Sequence, residues 1–414
     1  MEQPEKILTL EDSLKWAMTN NQNLLSLLEK KYVSEQKIAE ADSYFYPKLY
    51  LSGAYTRLDV STPTTLPPEL GGSSLAVGVS NHYAARASVN QYLFAGGSLV
   101  NQHLITVSEL DQVKQEYEES RRQVVLAVAG KFYDVLYQQQ LLDIYKDALQ
   151  QLKSFTDQTT PRTMKEYEKG LMTIEQVDLA AQVTATEEQL NLALTAFNKA
   201  VGFELSSKVK LVGDFKTASD SIEEKDLNTY IAQALDSAPG LRRLQLEEDK
   251  IQHQIDQAFS GRYPTVQIGA DYEFSGPDLQ VEGRNWTATV AVQYPLFNGW
   301  LSWARVRQMR GESRINSLQM VQMHDDLTLI VEQSYSHYVR TGQNLDTLAR
   351  NKDLAQKTLD GVGVSFKNNQ ASCSDVLLVL QKYLDTRILY LRDSYEYTLS
   401  EIELKVTTGL DPVK

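Results

Sequence analysis

The feature that most constrains the fold is an internal repeat that spans roughly half of the chain. Residues 91–97 read QYLFAGG, and residues 293–299 read QYPLFNG. Matches on either side of this phrase keep their order, with separations of 199 to 217 residues: Leu14 with Ile231, Tyr46-Pro47 with Tyr263-Pro264, Tyr167 with Phe366, and Gly202 with Gly409. A collinear series of this kind indicates duplication. Its period far exceeds the roughly 20 to 50 residues of a solenoid repeat, so each copy is a large unit.

Each copy opens with a short helical segment and continues with strands. After Pro264 apolar and polar residues alternate, which is typical of a strand with one apolar and one polar face. The same alternation predicts strands at 48–58 and 82–94 in the first copy, and at 264–274 and 285–297 in the second. Polar connections rich in turn formers join the strands of each pair.

Beyond the repeated phrase, the apolar spacing changes to that of a long helix. Heptad-like spacing predicts antiparallel coiled-coil hairpins at 101–203 and 301–408. The first helix would run for nearly 60 residues, or roughly 90 Å. We therefore divide the chain into a first repeat (1–205), a linker (206–226) and a second repeat (227–414). The fold class is mainly α with a small β portion.

Composition and motifs exclude several functions. The chain has 41 Lys and Arg against 54 Asp and Glu, a net charge of −13, and we find no basic cluster; nucleic-acid binding is therefore not expected. The five histidines lack ligand spacing, and the single cysteine forms no site. We predict no enzyme activity, no catalytic residues, no metal and no cofactor. The glycines of GVGVS (361–365) are expected to break the helix near the hairpin tip.

Four amphipathic strands in one chain leave open edges, which a membrane does not tolerate. The sequence contains no run of about 18 apolar residues, so we predict no membrane-spanning helix. Three chains would supply twelve strands, an even number suited to an outer-membrane barrel with its apolar face toward lipid. The alternative is a soluble coiled-coil scaffold or adaptor without a pore, whose small sheet packs on a core.

At this point the sequence resembles a known family, the TolC-like outer-membrane efflux proteins. The resemblance covers nearly the whole chain and lies in the order of its segments: LTLEDSLKWAMTNNQNL, FYPKLYLSGAYTR, YLFAGG and YEKGLMTIEQVDL, then RYPTVQIGADYEF, YPLFNG and FKNNQASCSDVLLVL. It implies a homotrimer with a twelve-stranded β-barrel in the outer membrane of a Gram-negative bacterium and an α-barrel tunnel in the periplasm. Residues 206–226 would belong to an equatorial segment around the tunnel.

The implied function is a passive exit duct of a tripartite efflux pump or a type I secretion system. Its implied partners are outer-membrane lipid, a periplasmic adaptor (membrane fusion protein) and an inner-membrane transporter. The transported substrate is not readable from the sequence, because a passive duct takes its specificity largely from the pump behind it.

The resemblance also implies a gate at the periplasmic end of the tunnel. Asp375 matches one acid of the family's aperture ring, whereas the second acid falls on Leu378 and a basic link residue falls on Ala371. The polar pair that braces the gate falls on Glu175 and Gln176. A plainer interpretation of Asp375 is local, because Ser372 and Asp375 form a Ser-x-x-Asp start to a helix.

Two further sets of residues follow from the resemblance and the repeat. Adaptor docking maps to the hairpin turns, at Lys169, Gly170 and Leu171 and at Asn368, Asn369 and Gln370, where a simple turn is the alternative. The repeated phrase is interpreted as the joint between barrel strand and tunnel helix, formed by Phe94, Gly96, Phe297 and Gly299. In this interpretation the glycines supply backbone freedom for the change from strand to helix.

Overall fold

The computed structural model describes residues 6–57, 64–65, 74–75, 81–158, 165–215, 226–276 and 283–410. Within these residues the chain is mainly helical. The helices are α1 Leu10–Asn20, α2 Gln22–Asp42, α3 Ser98–Gln158, α4 Glu166–Val201, α5 Leu227–Ser237, α6 Pro239–Ser260, α7 Leu301–Lys367 and α8 Cys373–Thr407. The strands are β1 Lys6–Leu8, β2 Lys48–Arg57, β3 Thr64–Thr65, β4 Ser74–Leu75, β5 Asn81–Ala95, β6 Val209–Leu211, β7 Thr265–Gly276 and β8 Gly283–Gln293.

The duplication predicted from the sequence is confirmed by the structure. Helices α1 and α5 have the same length, 11 residues, and each is followed at once by a second helix that leads into a strand. Gly202 follows α4 and Gly409 follows α8, both with positive φ. A Cβ on Gly202 would lie 2.6 Å from the carbonyl oxygen of Asn20, and one on Gly409 would lie 2.5 Å from Oγ of the aligned Ser237. In both copies the glycine therefore lies against the last residue of the first short helix, next to a backbone oxygen in one copy and a side-chain oxygen in the other.

The four long strands form one antiparallel sheet in the order β2–β5–β7–β8. Its register aligns the predicted apolar faces of both copies. Leu51 lies opposite Ala87, Ala87 opposite Tyr272, and Tyr272 opposite Trp286. Opposed residues on neighbouring strands share a face, so one apolar face crosses all four strands. Leu51 is 86% exposed and Val290 71% exposed within the single chain.

The chain divides into two compact units. The strand unit comprises Lys30–Val113 and Leu244–Gln319, and the helical unit comprises Met1–Glu29, Lys114–Arg243 and Met320–Lys414. Each unit draws on both sequence repeats. The strand unit holds the four-stranded sheet and a small apolar cluster of Ile251, Ile255 and Val306.

The helical unit contains three larger apolar clusters. One surrounds Phe132 and Phe197 and includes Val209 and Leu211 of β6, which pairs in parallel with β1. A second joins the ends of the two long hairpins, and a third surrounds Tyr230 and Tyr397. Among the described helices, none combines the length and apolar character that crossing a membrane would require.

Two sequence expectations about these elements are wrong. Helix α7 continues through residues 361–365 to Lys367, so GVGVS does not break it. A Cβ on Gly363 would lie 3.0 Å from the Phe155 ring, which shows that this glycine allows close helix packing rather than a bend. Strand β8 ends at Gln293 and not at residue 297. Pro295 lacks the backbone N–H that a further strand bond would need.

Candidate functional site

The ends of the two hairpins pack together within the helical unit. Leu152 and Phe155 of α3 and Met172 of α4 share a buried cluster with Phe366 of α7 and Val376 of α8. The rings of Phe155 and Phe366 meet edge to face, with centroids 6.2 Å apart. This shared core brings the residues predicted for both hairpin tips to one end of the unit.

A buried thiol makes a second link between the tips. Cys373, the first residue of α8, is 2% exposed, and its Sγ donates to the backbone oxygen of Glu168 in α4 over 3.5 Å. Burial, and then the nearby Glu168 carboxylate, raise the pKa of Cys373. The thiol therefore stays protonated at neutral pH and acts as a small packing group.

The predicted turn residues of the second tip do form the turn. Helix α7 ends at Lys367, and Asn369 adopts a left-handed backbone with φ of 57°. The N–H of Gln370 donates to the carbonyl of Ser365 over 2.8 Å, and that of Asn369 donates to Phe366 over 3.0 Å. This pair of bonds is a Schellman motif, in which asparagine takes the place usually filled by glycine.

The first tip differs from the prediction. Lys169, Gly170 and Leu171 lie inside α4, which begins at Glu166, so their interpretation as turn residues is wrong. The helix starts this early because the N–H of Lys165 donates to the Glu168 carboxylate over 2.9 Å. A side chain at the third position of a helix can thus satisfy a backbone donor that precedes it.

Asp375 takes part in a complete capping box at the start of α8. Its N–H donates to Oγ of Ser372 over 3.2 Å, and its carboxylate accepts from the N–H and the hydroxyl of Ser372 over 2.8 and 2.7 Å. These bonds lower the pKa of Asp375 and keep it ionised. The carboxylate is exposed and lies at the positive end of the α8 dipole. The local interpretation is therefore realised, and the carboxylate remains exposed while it caps the helix.

The other gate candidates lie in different surroundings. Leu378, at the next turn of α8, is exposed. Glu175 is half-buried, and burial followed by the charge of Asp178 raises its pKa. Gln176 donates from Nε2 to Oγ1 of Thr156 over 2.9 Å and so braces α4 against α3 within the first hairpin.

Sequence reasoning missed an exposed apolar stripe on α4. Tyr167, Leu171, Ile174 and Val177 are all exposed. Their spacing puts them on one side of the helix, which is the side a neighbouring helix would cover. The spacing alone could have revealed this stripe, but the same pattern also describes a helix face buried within a hairpin.

The four joint residues lie at the ends of β5 and β8 in the strand unit. Gly96 and Gly299 both have φ of 64°. Phe94 pairs with Val266 at the end of β5, whereas Phe297 lies beyond β8 and is 74% exposed. The residue after each glycine also has positive φ: it is Gly97 in the first joint and Trp300 in the second. Both joints therefore make the same left-handed bend before their helix begins.

The described residues contain no group of three or more His, Cys, Asp or Glu side chains that could hold a metal ion. The helical unit thus presents two packed hairpin tips with an exposed carboxylate at Asp375, and the strand unit presents an exposed apolar sheet face.

Comparisons with known proteins agree with this arrangement. Outer membrane protein TolC of Salmonella enteritidis is 22% identical over 418 residues, covering 95% of this chain and 80% of that protein. TolC of Escherichia coli (strain K12) is 21% identical, again over 95% of this chain and 80% of that protein.

Solved structures show the same fold. The Campylobacter jejuni CmeC outer membrane channel superposes with a TM-score of 0.81 at 14% identity, covering 97% of this chain and 85% of that one. CusC gives 0.80 at 15% identity, with 97% and 92% covered. The open state of the Neisseria gonorrhoeae MtrE outer membrane channel gives 0.80 at 11% identity, with 97% and 89% covered.

The family described as "Outer membrane efflux protein" matches residues 14–200 and 230–410, which together make up most of the chain. The protein is accordingly an outer-membrane efflux component of a Gram-negative bacterium. This chain belongs to the outer membrane efflux protein family.

Proposed function

We propose that this chain is the passive exit duct of a tripartite efflux pump or type I secretion system. It works as a homotrimer, with a twelve-stranded barrel in the outer membrane and a helical tunnel in the periplasm. The observation that carries the proposal is the single apolar face that crosses β2, β5, β7 and β8.

The open edges of the sheet support closure by further copies. Strands β2 and β8 are the two edges of the four-stranded order, with 10 and 11 residues. In lipid each unsatisfied backbone group costs several kcal/mol, because no water is present to bond it. Pairing β2 of one copy with β8 of the next removes both edges. Three copies give twelve strands, a size within the range of outer-membrane barrels.

The opposite face of the sheet suits a water-filled interior. Arg86 of β5 forms an ion pair with Glu273, its direct partner on β7. Ser88 and Asp271 lie opposite each other on the same face, and Thr287 follows on β8. Polar residues that alternate with a lipid-facing row are the pattern of a barrel with a polar lumen.

The hairpin tips carry the proposed gate and docking surface. Asp375 contributes the ring charge, and three copies around an axis would attract cations. Leu378 adds no charge to that ring. Gln176 braces the first hairpin through its bond to Thr156, and Glu175 is the other member of the pair proposed to brace the gate. The adaptor, which links the duct to an inner-membrane transporter, docks on the turn Asn368, Asn369 and Gln370 and on the start of α4 at Lys169, Gly170 and Leu171.

The first experiment tests the barrel. We expect the protein to leave outer membranes only with detergent, to form trimers by native mass spectrometry, and to conduct ions in planar bilayers. Ala87→Arg puts a charge on the apolar face and should cost about 2–4 kcal/mol in the membrane, so that few trimers assemble. The neighbouring Ser88→Arg, on the polar face, should leave trimers intact.

If Ser88→Arg lowers the trimer yield as much as Ala87→Arg, the assignment of faces fails. A detergent-independent monomer without conductance would instead favour the soluble scaffold without a pore.

The second experiment tests the gate. Asp375→Asn removes the charge while keeping an oxygen that can accept the bonds of Ser372. We expect the preference for cations over anions in bilayer recordings to fall several-fold. Asp385→Asn, an exposed α8 position away from the tip, is the matched control and should leave the preference unchanged. Unchanged selectivity in Asp375→Asn would remove this residue from the gate.

A further inference from the structure

We infer that a cleft at the second joint binds the phosphate headgroup of an anionic phospholipid. The joint cleft has a volume of about 400 Å³ and lies between the end of α6 and the start of α7. Its lining combines one cation with aromatic side chains, chiefly Arg262, Tyr294, Phe297, Trp300 and Trp303. The inference rests on the proposed function in one respect, namely that the sheet enters the membrane.

The guanidinium of Arg262 packs on the aromatic side chains that line the cleft. The guanidinium carbon of Arg262 lies 4.8 Å from the centre of the Trp303 ring. Phe259 also contacts Trp303, with its ring centroid 6.2 Å from that of Trp303 in an edge-to-face geometry. Stacking leaves the N–H groups of arginine free at the rim of the plane, where they can donate in pairs to a phosphate.

The joint cleft continues the lipid-facing side of the sheet. Tyr294 follows Val290 and Val292 of the apolar row at the same spacing of two residues. Because it precedes Pro295, its backbone is restricted to an extended conformation, which preserves the alternation. Leu296, the next residue of that series, is 89% exposed. A ligand in the cleft would thus meet the apolar face of the barrel at its helical end.

A basic stripe extends from the cleft along α7. Arg307, Arg310 and Arg314 follow Trp303 at helical spacing on one face, and all are exposed. None of these arginines, nor Arg262, forms an ion pair within the described part of the chain. The sequence expectation that basic residues do not cluster is therefore wrong at this position. Such a set of unpaired cations is unusual in a chain of net charge −13, and it complements an anion.

The distance of each arginine from Trp303 along α7 determines whether its side chain reaches the lipid headgroups. At 1.5 Å per residue, Arg307 lies about 6 Å beyond Trp303, Arg310 about 10 Å, and Arg314 about 16 Å. The headgroup layer is roughly 5–8 Å thick on each side of the hydrocarbon core. With Trp303 at the edge of the hydrocarbon core, Arg307 and the Arg262 that lies over Trp303 fall within that layer, whereas Arg310 and Arg314 lie beyond it.

Backbone strain marks the same place. Trp300 has φ of 67°, a left-handed conformation that costs a residue with a side chain roughly 1–2 kcal/mol. The first joint makes the same bend with Gly97, so a tryptophan is not needed for the turn itself. The aligned first-copy residues also lack the cations, since Phe45 stands for Arg262 and Leu104 for Arg307. Strain that is retained without a structural need points to a functional role of the indole.

Native mass spectrometry of the detergent-solubilised trimer tests the inference. The trimer is mixed with phosphatidylglycerol or with phosphatidylethanolamine, and retained lipid is counted. We expect wild type to retain phosphatidylglycerol at least tenfold better than phosphatidylethanolamine. Arg262→Ala/Arg307→Ala should lose this preference, whereas Arg262→Lys/Arg307→Lys should keep most of it. Arg314→Ala, on the same stripe but beyond the headgroups, is the matched control and should match wild type.

Three results would overturn the inference. The first is equal retention of both lipids by wild type, and the second is unchanged preference in the double alanine variant. The third is loss of trimers in that variant, which would mean that the cleft seats a neighbouring copy. Conductance measured on the same samples separates the two proposals: channels without lipid preference refute only the lipid site, whereas a wild type without channels refutes the duct.

Discussion

The two joints use one bend in two different surroundings. In the first joint β5 stays paired as far as Ala95, and α3 begins at Ser98. In the second, β8 stops at Gln293 and α7 begins only at Leu301. Both bends have a glycine with φ of 64°. Both strands end opposite Thr265 of β7, and β5 pairs with β7 alone beyond Asn90, so the joints differ in the length of unpaired chain before the helix. In the second joint this chain includes Pro295, which lacks the N–H for a further strand bond.

Packing around the two glycines shows the consequence. A Cβ on Gly96 would lie 2.6 Å from the carbonyl oxygen of Ser260 and 3.0 Å from Cβ of Tyr263. A Cβ on Gly299 would meet no described atom within 4 Å. Glycine is therefore favoured at Gly96 by backbone conformation and by space, and at Gly299 by backbone conformation alone. The two joints thus share a backbone conformation, but the joint glycine is closely packed in the first copy and open in the second.

Gly96→Ala should produce the largest effect. Backbone strain of about 1–2 kcal/mol adds to a steric cost of about 1–3 kcal/mol, because Ser260 offers a backbone atom that cannot rotate away. We expect the trimer in detergent to lose about 3 kcal/mol per subunit, measured by denaturant unfolding. A loss equal to that of Gly299→Ala would show that the close approach to Ser260 has no energetic weight.

Gly299→Ala isolates the backbone contribution, since its φ is the same and its surroundings are open. The expected loss is about 1–2 kcal/mol per subunit in the same unfolding measurement. Gly311→Ala is the control, because this glycine lies within α7 and has ordinary helical φ. Alanine favours a helix interior, so the control should gain about 0.5–1 kcal/mol. A loss in both variants would attribute the effect to side-chain bulk instead of to φ.

Trp300→Gly should give the smallest effect, and one of opposite sign. The substitution introduces glycine, the residue found at the matching position Gly97 of the first joint, and releases about 1 kcal/mol of backbone strain. The indole is 65% exposed, so little buried area is lost. In detergent without added lipid we expect the midpoint of unfolding to rise slightly. A fall in the midpoint would mean that Trp300 stabilises the joint through its contact with Phe297.

Much of the fold could be predicted because its signals are periodic. Alternation identified the face that carries Leu51 and Trp286, and the matching offsets identified the duplication. The Ser372 and Asp375 capping box was also readable, since both partners lie within one helical turn. Gate and docking roles rest on a family resemblance, and no contact within a single chain tests them.

Two other features were misinterpreted, one because of a local bond and one because of a contact between residues far apart in the sequence. The sequence interpretation treated Lys169, Gly170 and Leu171 as a turn, yet the bond from Lys165 to Glu168 starts the helix before them. It predicted that the glycines at 361–365 break the helix, yet α7 continues through them and Gly363 leaves room for the ring of Phe155. In both cases a segment whose composition is typical of turns lies inside a helix.

By itself the sequence determined the order of the elements, their duplication and the apolar face of the sheet, because periodicity is a property of neighbouring residues. Only the tertiary structure decided which glycine is packed against Ser260, and that Arg262 stacks on Trp303 across about 40 residues of intervening chain. Those facts depend on distances that folding creates between separate elements. For the same reason two nearly identical phrases became one packed joint and one open, aromatic cleft.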